Sequence, residues 1–247
     1  MGTPRIHRLR NPAEAIDALA DLAVHCIGGA LAARGEARIA LAGGGTPRPL
    51  HRRLAEPPRV DAVDWSRVHV FWGDERCVPP DDPASNYRMA RETLLDHVPL
   101  DPSAIHRIAG ELPAEEAAAA YAVQLDDAPL DLVLLGLGGD GHTASIFPGT
   151  PVQAASDRAV LATRSPVAPA ERVTLGLGPI NGARTVAFLA LGSAKARTVA
   201  RVLAEWGTEA PALPAARVRP ASGELHWFLD GASAAELGDG WRGQEGR

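Results

Sequence analysis

Short apolar runs alternate with helical patterns along most of this 247-residue chain. Most of the runs are continuously apolar, which is typical of strands that are buried on both faces of a sheet. The alternation predicts a single-domain α/β fold with a mainly parallel sheet and helices on both of its faces. The predicted strands are residues 38–42, 68–72, 132–137, 159–163, 172–175, 185–191 and 225–229.

Helical patterns and turn residues fill the segments between these strands. The sequence contains no clear linker and no internal repeat, so residues 1–237 are predicted to form one domain. Residues 238–247 are polar and rich in glycine, and we expect this tail to fray. The predicted helices are residues 12–33, 47–55, 85–97, 113–124, 194–206 and 232–237.

Composition excludes several classes of protein. Apolar residues make up 46% of the chain and charged residues 22%, which excludes a disordered chain. The net charge of −5 disfavours general nucleic-acid binding, so any anion site must be built locally. The two cysteines cannot form a disulfide framework, which favours a cytoplasmic protein. We see no targeting segment and no apolar run near the ~20 residues of a membrane helix, so no membrane partner is expected.

Glycines and polar residues follow four of the predicted strands. Ligands of open parallel sheets bind beyond the carboxyl ends of the strands, where these loops would meet. We therefore expect the four loops to form one site at that edge of the sheet. The loops are residues 43–47, 73–76, 138–142 and 192–195.

The first of these loops has the features of a phosphate-binding turn. Gly43 and Gly44 can turn backbone N–H groups towards an anion, while Thr46 and Pro47 suit the N-cap and the first position of a helix. The alternative is a tight strand-to-helix turn with no ligand. Lys195 is the single lysine among 25 basic residues and follows a strand, so its ammonium could reach a phosphate. Its alternative is a solvated surface position.

His142 is the candidate general base. It follows a glycine-rich turn and is expected to open a short helix at residues 143–147, whose N-terminus would keep the imidazole neutral. Asp140 could orient the ring; the alternative for His142 is a purely structural hydrogen bond. Ser145 lacks the GxSxG context of a serine nucleophile, so water is the expected nucleophile. We expect no metal, and the GxGxxG match at residues 136–141 is a poor dinucleotide motif because Asp140 lies inside it.

The charged residues after the second strand allow two interpretations. Asp74, Glu75 and Arg76 could form a solvated corner, or Arg76 could bind phosphate and Asp74 could accept hydrogen bonds from sugar hydroxyls. Arg172, at the start of a strand, could form a salt bridge or contact an anion. Ser85 and Asn86 are a plausible N-cap for the following helix.

These residues together resemble the 6-phosphogluconolactonase family. The most specific stretches are GDER at residues 73–76 and DGHTASIFPG at residues 140–149, and the glycine-rich turn is less specific. One departure is Gly45, where the family more often has serine. The resemblance covers nearly the whole chain, through residues 42–48, 70–91, 135–150, 172–182, 192–197 and 225–231.

The resemblance implies hydrolysis of 6-phospho-D-glucono-1,5-lactone to 6-phospho-D-gluconate in the oxidative pentose phosphate pathway, without metal or cofactor. It also implies the modified doubly wound fold that the family shares with glucosamine-6-phosphate deaminase. His142 would be the base and Asp140 its partner. The implied phosphate contacts are Gly43, Gly44, Thr46, Arg76 and Lys195, and Asp74 and Arg172 are further substrate contacts.

Two alternatives remain at this point. The related deaminases carry DEY in place of Asp74-Glu75-Arg76, and a glutamate five residues after the histidine, where this chain has Phe147. Phenylalanine cannot give the acid–base assistance that opening of an amino-sugar ring needs, so lactone hydrolysis is favoured. The other alternative is a sugar-phosphate sensor that binds without catalysis, but the sequence contains no helix-turn-helix pattern to accompany one.

Overall fold

The computed structural model describes residues 2–154, 159–238 and 241. Most of the predicted tail at residues 238–247 therefore lies outside the described residues, and the boundary of the domain at residue 237 stays a prediction. The strands, in chain order, are β1 (Arg5–Leu9), β2 (Ala37–Leu41), β3 (Val68–Trp72), β4 (Asp74–Arg76), β5 (Leu132–Gly136), β6 (Val160–Arg164), β7 (Glu171–Leu175), β8 (Thr185–Ala190) and β9 (Glu224–Asp230).

The helices lie between these strands, and short 3-10 turns occur among them. In chain order the α-helices are α1 (Pro12–Arg34), α2 (Pro47–Leu54), α3 (Asn86–Thr93), α4 (Ala114–Leu125), α5 (Pro151–Ala154), α6 (Leu177–Gly182) and α7 (Ala196–Glu205). The predicted helix at residues 85–97 ends at Thr93 and is followed by a 3-10 turn, Leu95–His97.

A six-stranded parallel sheet, in the order β1-β9-β8-β5-β2-β3, forms the centre of the protein. This confirms the prediction of a mainly parallel α/β fold. Strand β5 lies in the middle of the sheet, and Leu132 to Leu135 are all buried, as expected for a strand covered on both faces. The chain moves from β2 outwards to β3 and then returns to β5 on the other side of β2. The strand order therefore reverses between β2 and β5, which is where ligands bind in sheets of this kind.

A second, antiparallel sheet has the order β4-β7-β6. The predicted strands at residues 159–163 and 172–175 are found as β6 and β7, but they lie in this second sheet, which the sequence pattern did not predict. The short strand β4 begins two residues after β3 ends and pairs with β7, so the second sheet starts at the carboxyl edge of the first.

Helix α1 begins and ends at residues that suit those positions. The Asn11 side chain accepts a hydrogen bond from the Glu14 N–H, and the helix ends at Gly35, whose φ of 84° is left-handed. By length and mean hydropathy alone this 23-residue helix could span a membrane, contrary to the expectation from the sequence. Its buried residues, from Ala15 to Ala30, instead form part of the core.

Two predicted helices are absent, and two strands, β1 and β4, were not predicted. Residues 232–237 form turns rather than a helix, and residues 143–147 form a turn in which Thr143 and Ile146 are bridged. Ala144 in that turn has a φ of 47°, which is incompatible with a continuing right-handed helix. Strand β1 was missed because its sequence, RIHRL, carries charge and only Ile6 of it is buried at the sheet edge.

Candidate active site

The loops after β2, β3, β5 and β8 meet at a cavity of about 450 Å³ at the carboxyl edge of the parallel sheet. The expected convergence of these four loops is therefore found. The antiparallel sheet contributes a further wall through β4 and β7. The cavity is lined by every site residue that the sequence predicted, namely Gly43, Gly44, Thr46, Asp74, Arg76, Asp140, His142, Arg172 and Lys195.

The glycine turn leads directly into helix α2. Pro47 is the first residue of that helix, as predicted, and Thr46 occupies the N-cap position. The Thr46 side chain makes no capping hydrogen bond, so its hydroxyl is not engaged by the helix and lines the cavity. Gly44 has a φ of 91°, a conformation that a residue with a side chain rarely adopts. The turn thus presents backbone N–H groups and a hydroxyl at the positive end of a helix dipole.

Lys195 approaches the cavity from the opposite side of β5. It is half-buried at the end of a 3-10 turn, Ser193–Lys195, that precedes α7. Its ammonium forms no ion pair with any residue that the structure describes, and it is therefore available to an anionic ligand. The turn itself is held by Asp230, whose carboxylate accepts a hydrogen bond from the Gly192 N–H at 3.0 Å.

His142 and Asp140 form a hydrogen-bonded pair at the cavity. The imidazole Nδ1 lies 2.6 Å from Asp140 Oδ1, and the His142 backbone N–H donates to the same oxygen at 3.1 Å. Partial burial alone would raise the pKa of Asp140, but these two hydrogen bonds and the charge of the imidazole hold it below its usual value. Asp140 is therefore an ionised acceptor at neutral pH. The proton of a neutral imidazole then lies on Nδ1, which leaves the Nε2 lone pair free to accept a proton.

The backbone around this pair is shaped to hold the ring. A Cβ on Gly138 would lie 2.0 Å from His142 Nδ1 and 2.7 Å from Asp140 Oδ1, so only glycine fits there. The Gly138 N–H also donates to the His142 carbonyl at 2.9 Å. On its other side the ring contacts Phe147, with 4.7 Å between the ring centroids. Because residues 143–147 are not helical, the predicted helix dipole does not act on His142, and the Asp140 carboxylate orients the ring instead.

Arg76 and Arg172 are directly opposite each other on β4 and β7. Like charges in this arrangement repel each other, and neither guanidinium forms an ion pair with a described residue. Arg172 is only 6% exposed, and its Nε donates to the Pro169 carbonyl at 2.8 Å. Burial, and then the charge of Arg76, lower the pKa of Arg172. Two guanidinium groups that line a cavity without a described ion-pair partner favour an anionic ligand.

The three charged residues Asp74, Glu75 and Arg76 form strand β4, so their side chains alternate between its two faces. Asp74 and Arg76 face the cavity, whereas Glu75 points to the other side and accepts hydrogen bonds from the N–H groups of Asn86 and Tyr87, both at 2.7 Å. Burial raises the pKa of Glu75, although these backbone donors oppose the shift. Ser85 caps α3 as predicted, with its hydroxyl accepting from the Arg88 N–H at 3.1 Å.

Sequence reasoning missed how the wall around Asp74 is built. Ser145 is 1% exposed, and its hydroxyl donates to Asp74 Oδ2 at 2.6 Å, which agrees with its exclusion as a nucleophile. The Asn86 amide donates to the Asp74 carbonyl at 2.8 Å. Both residues lie in stretches that carry the family resemblance, but a contact between distant loops leaves no signal in a single sequence. Within residues 2–154, 159–238 and 241 there is no group of three or more His, Cys, Asp or Glu side chains placed to hold a metal ion.

The fold and the cavity define an α/β protein with a site at the carboxyl edge of a parallel sheet, and this site is lined by Arg76, Arg172 and Lys195. A family profile described as glucosamine-6-phosphate isomerases/6-phosphogluconolactonase matches residues 10–227. The chain belongs to this family. It is 41% identical over 224 residues to a 6-phosphogluconolactonase of Streptomyces coelicolor, a match that covers 84% of this chain and 85% of the relative.

Other relatives and solved structures agree with this assignment. A Mycobacterium tuberculosis 6-phosphogluconolactonase is 40% identical over 228 residues, which covers 87% of this chain and 90% of the relative. The solved structure of 6-phosphogluconolactonase from Trypanosoma brucei is 32% identical, with a TM-score of 0.85 over 96% of this chain and all of that one. A monomeric glucosamine-6-phosphate deaminase, 21% identical with a TM-score of 0.80, shares the fold.

Proposed function

We propose that this chain hydrolyses 6-phospho-D-glucono-1,5-lactone to 6-phospho-D-gluconate. Relatives and structural neighbours named 6-phosphogluconolactonase support this reaction. The observation that carries the proposal is the His142–Asp140 pair, with 2.6 Å between Nδ1 and Oδ1, in a cavity that also holds the glycine turn and Lys195. The proposed substrate has an ester carbon, which the base would face, and a remote phosphate, which the glycine turn and Lys195 would bind.

The chemistry assigned to His142 follows from its hydrogen bond. With Nδ1–H donated to Asp140, the free Nε2 takes a proton from a water molecule as the water oxygen attacks C1 of the lactone. The tetrahedral intermediate then breaks the bond between C1 and the ring oxygen. The imidazolium returns its proton to that oxygen, which becomes the C5 hydroxyl of the product. Asp140 acts as a positioning residue because its carboxylate stays bound to Nδ1 throughout.

The phosphate provides the orientation that this single base needs. We assign it to the turn formed by Gly43, Gly44 and Thr46, together with Lys195 and Arg76, and we assign Asp74 and Arg172 to further substrate contacts. Binding energy from a remote phosphate fixes the position of C1 relative to the imidazole and thereby lowers the entropic part of the barrier. The proposal requires no metal and no cofactor.

The environment of His142 argues against the deaminase alternative. Phe147 is 6% exposed and contacts the His142 ring, at the position where the deaminases carry a glutamate. An apolar ring at this point offers no proton for the opening of an amino sugar. We expect a phosphorylated sugar lactone as the partner, with no nucleic acid or membrane, and a cytoplasmic location stays a prediction.

The test is a rapid assay with freshly generated phosphorylated lactone, comparing the wild type with His142→Gln and subtracting spontaneous hydrolysis. We expect kcat to fall by about 10²–10⁴-fold with KM largely kept. Near-normal turnover by the variant would remove His142 from the role of base. No turnover by the wild type, combined with tight binding of 6-phosphogluconate, would instead favour the sensor that binds without catalysis.

A further inference from the structure

We infer that Asn86 is a positioning residue that fixes the phosphate-binding turn against the wall of the cavity, an inference that rests on the proposed function. Its carboxamide occupies the space that a side chain on Gly43 would need. A Cβ on Gly43 would lie 2.0 Å from Asn86 Oδ1, 2.1 Å from Cγ and 2.2 Å from Nδ2. The amide of Asn86 lies against the Gly43 Cα, and this contact by itself requires glycine at position 43. The requirement is independent of any role of the Gly43 N–H in binding phosphate.

The same carboxamide binds the loop after β3. Nδ2 donates to the Asp74 carbonyl at 2.8 Å and is 3.3 Å from Asp74 Oδ1. Asn86 is 1% exposed, and its Oδ1 has no hydrogen-bond partner in the described part of the chain. An unpaired buried acceptor is costly, and in Asn86 this cost is opposed by the hydrogen bond that Nδ2 donates to Asp74 and by the close fit of the amide against Gly43. Asn86 thus joins the glycine turn to the strand that carries Asp74 and Arg76.

Asn86 cannot easily move to relieve a clash. It is the first residue of α3, and its N–H donates to Glu75 Oε1 at 2.7 Å. The neighbouring Tyr87 N–H and Ser85 hydroxyl donate to Glu75 Oε2 at 2.7 Å and 3.0 Å. The buried carboxylate of Glu75 therefore anchors the start of the helix from behind. A side chain on Gly43 must consequently displace the turn itself, and with it the N–H groups proposed to bind phosphate.

Substitution at the two positions should be strongly non-additive. Gly43→Ala alone should raise KM for the phosphorylated lactone by about 10-fold or more, because a shift of about 1 Å in a binding group is costly. Asn86→Ala removes the obstacle, so adding Gly43→Ala in that background should cost less than about 3-fold. The effects should concentrate in KM rather than kcat, and should be much smaller with unphosphorylated gluconolactone.

The experiment compares the wild type, Gly43→Ala, Asn86→Ala and the double variant. Each protein is assayed with both lactones, and its melting temperature is measured without ligand. A penalty of Gly43→Ala that largely disappears in the Asn86→Ala background supports the inference. A penalty that is equal in both backgrounds, or a Gly43→Ala enzyme that matches the wild type, overturns it.

The melting temperatures keep this inference separable from the proposed function. If the wild type does not hydrolyse the phosphorylated lactone, the proposed function fails, while the destabilisation by Gly43→Ala must still disappear in the double variant. If Gly43→Ala does not fold, recovery of folded protein in the double variant is the same supporting result. A double variant that also does not fold contradicts the inference.

Discussion

Gly138→Ala is expected to disable catalysis while leaving substrate binding largely intact. The new Cβ would lie 2.0 Å from His142 Nδ1 and 2.2 Å from Cε1, whereas real Cβ contacts below 3.0 Å are essentially absent from proteins. The imidazole must therefore retreat by about 1 Å, and the Asp140 carboxylate, 2.7 Å from the Cβ, must move with it. A displacement of this size costs about 100-fold in rate, or about 3 kcal/mol of transition-state stabilisation.

The assay is steady-state hydrolysis of the phosphorylated lactone, with the melting temperature measured in parallel. We expect kcat to fall by about 100-fold with KM changed by less than about 3-fold, because the proposed phosphate contacts lie in other loops. Gly139→Ala is the matched control, since a Cβ there meets nothing within 4 Å. Wild-type kcat in a folded Gly138→Ala protein would refute the reasoning. It would mean that the His142–Asp140 geometry is not what limits the rate.

Two further predictions follow from the same structure. Lys195→Ala should raise KM for the phosphorylated lactone by about 10-fold and leave the KM for unphosphorylated gluconolactone unchanged, and an equal effect on both would reject the phosphate role. Complete burial lowers the pKa of His51 to about 4, so the folded state resists its protonation. Its contribution to stability is present above the unfolded pKa of 6.5 and is lost as pH falls from 6.5 towards 4, by about 3 kcal/mol in all. Denaturant unfolding measured between pH 7 and pH 4 should show that the free energy of unfolding falls less steeply with decreasing pH for His51→Leu than for the wild type. An equal pH dependence in the two proteins would contradict the assignment.

The parallel sheet and the position of the site were predictable from the sequence. Strand β3 has the predicted bounds, and the loops after four strands meet as expected, because parallel strands place their carboxyl ends at one edge. Strand β4 was not predictable, since DER has no strand propensity and is extended only through its pairing with β7. The turn after His142 was misread as a helix because its residues do not reveal that Ala144 adopts a positive φ.

The chemistry of individual residues was predictable only where it is local. The pairing of Asp140 with His142 spans two residues and could be proposed from the sequence alone. Other contacts join segments that are distant in the chain. Ser145 binds Asp74, and the Asn86 amide packs against Gly43. Such contacts depend on how β4 leaves the edge of the parallel sheet. No periodicity or local motif encodes that geometry.

The walls of the cavity come from loops that extend from the end of β2 to the beginning of α7, with both sheets contributing. The lining residues extend from Ala42 to Lys195, so no short fragment of the chain carries a complete site. Binding of the proposed sugar phosphate would therefore be linked thermodynamically to cooperative unfolding of the sheet. Ligand at 100 times its Kd would add about 3 kcal/mol to global stability. Metabolite supply would thus help determine how long the protein survives proteolysis in the cell.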